Sequence, residues 1–236
     1  MAEATSSMTY KALQDAVVRT FKCDTPTAKV YVLGGVLRML RAHRWSFLET
    51  TAELTVAAEA AYTALPDDLR EVSDPPTFAA DSNYRFDRQV TVREILAERS
   101  ANDTTGTPRL WAVGSSGYTP AAGQRYRLYL YPRPVEELTL WLPYRIHVAA
   151  MSNDGDYPPG GAAHAPSVLA AAYAEAEIAS RKTKGLYYRQ WREEALPESI
   201  RLDAGLSGGK AIAPGYRANR PDWRREQVTI NVVSEE

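Results

Sequence analysis

Nucleophilic, metal-ligating and acid–base chemistry each need several side chains brought to one place, and few residues of this sequence could supply them. The single cysteine, Cys23, lies at a helix end between Lys22 and Asp24, and His43, His147 and His164 stand in unrelated contexts. One cysteine excludes an intrachain disulfide and a thiolate metal cluster, which fits a reducing compartment. A thiol without a histidine partner reads as passive. "GLSGGK", Gly205 to Lys210, has the look of a phosphate loop, but Ala211 follows Lys210 where the GxxxxGK[ST] frame needs Ser or Thr. The adjacent pairs Asp67-Asp68 and Glu136-Glu137 read as a cap and a turn, because neighbours in sequence do not by themselves converge on a substrate bond. Asp154 and Asp156 in "NDGD" lack the further spaced ligands of a calcium loop and read as solvated. The expectation is a non-enzymatic protein with no catalytic, cofactor-binding or metal site.

Charge narrows the partners. With 28 basic and 29 acidic side chains the formal net charge is -1, so no overall field would hold the chain on nucleic acid or an anionic membrane. Arginines gather late, at Arg217, Arg220, Arg224 and Arg225, as either a solvated tail or a docking patch. The N-terminal residues show no charged segment followed by an apolar one, and no apolar run approaches membrane-spanning length, so the chain reads as cytosolic.

Several elements must position whatever this protein uses. Tyr10, Leu13, Val17 and Phe21 recur at helical spacing. A second helix starts at a capping Thr25 with Pro26 in the first helical position and runs to Leu40; its Gly34-Gly35 pair costs about 1 kcal/mol per glycine and points to close packing or a bend. From Trp45 to Tyr62 the pattern shortens into extended pieces closed by "LPDD". Thr91 and Glu94 form a capping box that opens a short helix carrying Ile95 and Leu96. "RLWAVGSS" reads as a strand, and "GYTPAAG" as a turn.

Arg127 to Met151 then reads as an aromatic hairpin broken at "PRP". Leu128 and Leu130 share one face of the first run, with Arg127, Tyr129 and Tyr131 opposite; Leu138, Leu140 and Leu142 share a face opposite Trp141 in the second. Large side chains on both faces suit a sheet covered by a second layer or by a neighbouring subunit. "SNDGDYPPGGAAHAP" reads as a flexible connector, and Ser167 to Glu194 as a long alanine-rich helix in which Glu177 supports Arg181 four residues on and Gly185 interrupts. Beyond Leu196 no sustained periodicity is expected until a final strand in "EQVTINVVSEE". The fold class is α+β: a helical bundle of residues 1–43 and 160–196, an inserted antiparallel β-rich domain of residues 44–159, and an extended C-terminal arm of residues 197–236.

The segments "RWSFLETTAELTVAAEAAYTALPDDLREV", "DRQVTVREILAERSANDTTGTPRLWAV", "RLYLYPRPVEELTLWLPY" and "APSVLAAAYAEAEIA", in this order, resemble the bacteriophage head-to-tail adaptor proteins that sit beneath the portal ring. The resemblance spans most of the chain from Arg44 to Ala179. It implies a virion protein forming a homo-oligomeric ring, commonly of twelve copies, that joins the portal protein to a downstream tail protein and continues the DNA channel with only passive contact to the genome. It implies assembly in the host cytoplasm, no membrane and no cofactor. Tail-completion or tail-tube proteins are the structural alternative and would be mainly β. Cell-wall hydrolysis, associated with some relatives of short-tailed phages, finds no residues here to carry it. Two surfaces are expected to bind: Tyr129, Tyr131 and Trp141 toward a subunit or the tail, and the segment with Arg217, Arg220, Trp223, Arg224, Arg225, Val228, Ile230 and Val232 toward the portal or a neighbouring protomer.

Overall fold

In the computed structural model, which describes residues 8–79, 84–121, 123–181 and 183–206, the chain first builds helices, then two sheets, then helices again. Helix α1, Tyr10–Phe21, is capped by the Thr9 hydroxyl, which accepts from the Ala12 N–H, and closes at Lys22 in the left-handed region. Helix α2, Thr25–Ala42, is capped by the Asp24 carboxylate accepting from the Thr27 N–H, so Thr25 is already helical and Pro26 occupies the second position. Asp24 is the stronger acceptor of the two neighbours, which moves the cap one residue back from the expected Thr25.

Helix α4, Gly161–Arg181, lies against α1 and α2, and Tyr10, Leu13, Val17, Val32, Met39, Trp45, Val168 and Ala172 form their common core. A Cβ built on Gly35 would come within 2.5 Å of the Ala172 backbone, so the glycine pair serves close packing. The expected flexible connector is ordered. The Asp156 carboxylate accepts from the Ser152 and Asn153 N–H groups, while the carbonyls of Asp156 and Asp154 accept from Tyr10 and Lys11 at the start of α1, where backbone donors have no intrahelical partner. The Asn153 and Ser152 N–H groups hold the Asp156 carboxyl below the usual carboxylate range.

The long helix ends earlier than its periodicity suggests. Helix α5, Leu186–Gln190, begins after Gly185 and passes through a π-helical turn, Trp191–Ala195, into α6, Leu196–Leu206. Glu177 is fully buried and does not serve Arg181; its carboxylate accepts from the Gly185 and Tyr188 N–H groups, because the chain folds back over it. Helix α6 replaces the irregular segment expected after Leu196.

Between the helices, a 3-10 turn at Ser46–Leu48 leads into strand β1, Glu49–Val56. There follow β2 (Tyr62–Ala64), β3 (Leu69–Val72), β4 (Thr77–Phe78), β5 (Arg88–Gln89), helix α3 (Val92–Ala101), β6 (Leu110–Thr119), β7 (Gly123–Tyr131) and β8 (Leu138–Ile146). The capping box on α3 is formed as read: Thr91 accepts from the Glu94 N–H and the Glu94 carboxylate from the Thr91 N–H. In one sheet β8 has β1 on one edge and β3 then β4 along the other. The second sheet runs β2-β7-β6-β5, with β5 parallel to β6 and the other pairs antiparallel. The mixed helix and sheet content makes the fold α+β.

The expected hairpin is not one. Strands β7 and β8 belong to different sheets, and the chain crosses between them after the cis Tyr131–Pro132 peptide. Leu128 and Leu130 of β7 meet Leu140 and Leu142 of β8 in one core, together with Leu54, Val56, Trp111 and Tyr144. The two alternating runs therefore turn their leucines toward each other across a sandwich and their aromatic faces outward in opposite directions.

Candidate functional site

Among the described residues no group of His, Cys, Asp and Glu is placed to hold a metal ion, and no helix is long and apolar enough to cross a membrane. Cys23 packs at the margin of the helical core. Asp67 pairs with Arg125, and Asp68 accepts from the Tyr144 hydroxyl at 3.0 Å, so that carboxylate pair braces the sandwich. Glu136 and Glu137 are exposed in the crossing between β7 and β8. Ser207 to Lys210, most of the glycine-rich loop, lie outside the described residues.

The arrangement nearest to a nucleophile and base is one that the sequence conceals, because its members are 35 positions apart. Ser199 Oγ of α6 lies 2.5 Å from His164 Nδ1 of α4. Both are buried, Nε2 of His164 has no hydrogen-bond partner, and burial pushes the imidazole pKa down, with Asp203 opposing the shift. The Asp203 carboxylate is engaged elsewhere: it accepts from the Ser46 N–H at 3.0 and 3.1 Å and from the Ser46 hydroxyl at 2.6 Å. The adjoining cavity of about 70 Å³, bounded by Ser167, Glu198, Ser199 and Leu202, has room for a few waters and no substrate. These contacts fasten α6 to α4 and to the start of the β-rich segment.

What the fold offers outward is surface. On the first sheet Trp141 is 42% exposed, opposite Glu53 of β1 and Thr77 of β4, with Thr51 and Thr55 exposed on the same strand face. On the second sheet Tyr129 and Tyr131 also point outward, but α3 lies over part of that face: the Tyr131 hydroxyl donates to the Asn102 carbonyl at 2.8 Å, and Val92 closes on Gly114 beside Tyr129. At the uncovered edge Tyr62 is 43% exposed, and the Arg127 guanidinium stacks 4.2 Å from its ring centroid. Tyr129 completes the aromatic row at 5.7 Å from Tyr62. Helix α2 carries a third exposed apolar feature, Val30 and Leu37 seven residues apart.

The three aromatic residues singled out in sequence thus lie on opposite outer faces of one sandwich. Glu53, Tyr62 and Arg127 were not expected as binding residues, although alternation in β7 sets Arg127 on the face of Tyr129, and the same period in β1 carries Glu53 outward. The arm residues Arg217, Arg220, Trp223, Arg224, Arg225, Val228, Ile230 and Val232 lie outside the described residues.

The family model described as the SU10 adaptor protein matches residues 8–214. No curated protein matches the chain.

Proposed function

The chain belongs to the SU10 adaptor protein family, a family of phage structural adaptors, and from that premise we propose that it forms a ring joining the portal to the tail and continuing the DNA channel. Family membership over residues 8–214 is the observation that carries this reading. Its partners are the portal protein, a downstream tail protein and further copies of itself, about twelve as the resemblance to head-to-tail adaptors implies, in a closed symmetric ring. Its place is the head–tail junction of the virion.

Three features support the finer reading. The exposed aromatic rings on both outer faces of the sandwich are surface that a protein partner would cover. The formal net charge of -1 suits a channel through which DNA slides, since each neutralised phosphate would add salt-dependent grip. The nucleophile–base contact of Ser199 with His164 is buried beside a cavity of about 70 Å³, too small for a substrate. The helices in the fold disfavour a tail-tube protein, which would be mainly β. Within this reading residues 1–43 and 160–196 form the helical bundle, residues 44–159 the inserted β-rich domain, and the segment with Arg217, Trp223 and Ile230 an arm that docks on the portal or a neighbouring protomer.

The experiment is reconstitution. Purified chain is added to DNA-filled heads that carry the portal but no tail, and the particles are imaged. A ring of density on the portal vertex, after which tails attach, is the expected result. Bare portals at saturating protein would refute the reading, and so would turnover of purified peptidoglycan that is lost on substituting a carboxylate.

A further inference from the structure

The two outer faces of the sandwich differ in direction and in the charge beside their exposed rings. The strands of the first sheet carry Glu49, Glu53 and Glu71 against Arg70 and Arg145, and the Arg145 guanidinium pairs with both Glu49 and Glu71. At the centre of that sheet's outer face Glu53 lies opposite Trp141 and makes no ion pair among the described residues. The second sheet and α3 carry Arg88, Arg93, Arg99, Arg125 and Arg127 against Glu94 and Glu98. Arg125 is neutralised by Asp67, whereas Arg127 lies on the Tyr62 ring and makes no ion pair among the described residues. Glu53 beside Trp141 and Arg127 beside Tyr62 are thus charges of opposite sign, each next to an exposed aromatic ring and neither in an ion pair among the described residues.

A residue pattern that is complementary to a second pattern on the far side of the same molecule cannot be satisfied within the molecule. It is satisfied by the next copy, and repetition of that contact builds a ring or a filament. We propose that neighbouring protomers meet sheet to sheet, with Trp141 and Glu53 of one copy packed against Tyr62 and Arg127 of the next. The contact is heterologous: each protomer uses its Glu53 face on one side and its Arg127 face on the other. Trp and Tyr give large, rigid buried area, Arg stacked on an aromatic ring is already ordered, and Glu53 supplies the carboxylate that its guanidinium lacks. This rests on the reading of the protein as a ring-forming adaptor, and it assigns the residues of the subunit contact.

The test uses the full chain with Cys23→Ser, which removes the single native thiol. Thr51→Cys and Ala64→Cys, exposed positions on the Trp141 and Tyr62 faces, are introduced singly and together, assembly is followed on portal-bearing heads and in free solution, and a short bis-maleimide is added. The double-cysteine chain is expected to give a ladder of cross-linked multimers, while either single variant gives monomer. A cross-linked dimer from Thr51→Cys alone would show face-to-self pairing and overturn the proposal. In parallel, Glu53→Arg or Arg127→Glu is expected to weaken ring formation at least about tenfold, and the two together to restore most of it. If rings form and neither the ladder nor the charge rescue appears, the contact is wrong while the ring reading stands. If the unaltered chain forms no ring even on portals, the ring reading fails and the contact with it.

Discussion

Gly35 of α2 sits directly on the backbone of Ala172 in α4: an added Cβ would lie 2.5 Å from the Ala172 nitrogen and 2.6 Å from its Cα. Gly34, one residue earlier, would meet only the flexible side chain of Glu175, at 3.2 Å. The helix gains roughly 1 kcal/mol from either glycine-to-alanine change, but overpacking against a backbone costs about 1–3 kcal/mol and forces the helices apart. Gly35→Ala is therefore expected to lower the urea midpoint clearly. Gly34→Ala should leave it unchanged or raise it. Equal effects of the two substitutions would mean that α2 and α4 are not in this contact.

Neighbouring residues on β8 should separate stability from assembly. Leu140 is fully buried between the sheets, and Leu140→Ala is expected to cost about 2–5 kcal/mol in chemical denaturation. Trp141, pointing the other way and 42% exposed, should cost under about 1 kcal/mol as Trp141→Ala while weakening subunit association. Denaturation midpoints and mass photometry on the same two variants check both halves.

The buried His164 makes stability depend on pH with a definite sign. Its folded pKa lies below the ordinary value of 6.5, so between the two values the unfolded chain binds the proton more readily than the folded one. Stability is then complete above the ordinary histidine value and falls as the pH drops below it. The groups facing the ring are Ser199, Asp203, Trp45 and Phe47, and only Asp203 among them carries charge. Thermal melts of the native chain from pH 7.5 to 5 should show this loss, and His164→Gln should flatten it. A slope in the variant as steep as in the native chain would place the titration elsewhere.

How far the sequence disclosed this fold depended on the kind of signal. Helices α1 and α3 were legible to within a residue because periodicity and caps are local: Thr9 and Thr91 cap the helices that they precede. The alternation in β7 and β8 likewise revealed which side chains share a face, with Leu128 and Leu130 opposite Tyr129. It could not reveal the partner strand, because a leucine stripe looks the same whether its strand pairs with the next strand or faces it across a core. Helix α6 was missed because Pro197 and Gly205 weaken its propensity, and what holds it is tertiary: Asp203 on Ser46 and Ser199 on His164. Glu53 and Arg127 were legible as strand residues of opposite charge, but that has no meaning until the two sheets are set back to back.

The segment from Arg217 to Glu236 is proposed to attach the ring. Its deletion is expected to leave the circular-dichroism spectrum and denaturation midpoint of the chain nearly unchanged and to abolish binding to portal-bearing heads. Unfolding of the shortened chain would assign the segment to the core, and normal binding would remove it from the attachment.

The central claim is that this chain assembles as a ring on the portal, and imaging portal-bearing, tailless heads after incubation with the purified protein tests it most directly. The account predicts a closed ring of identical subunits, coaxial with the portal, with adjacent β-sandwiches in contact through opposite faces. Heads whose portals stay bare at saturating protein, with the chain monomeric in the surrounding solution, would contradict it.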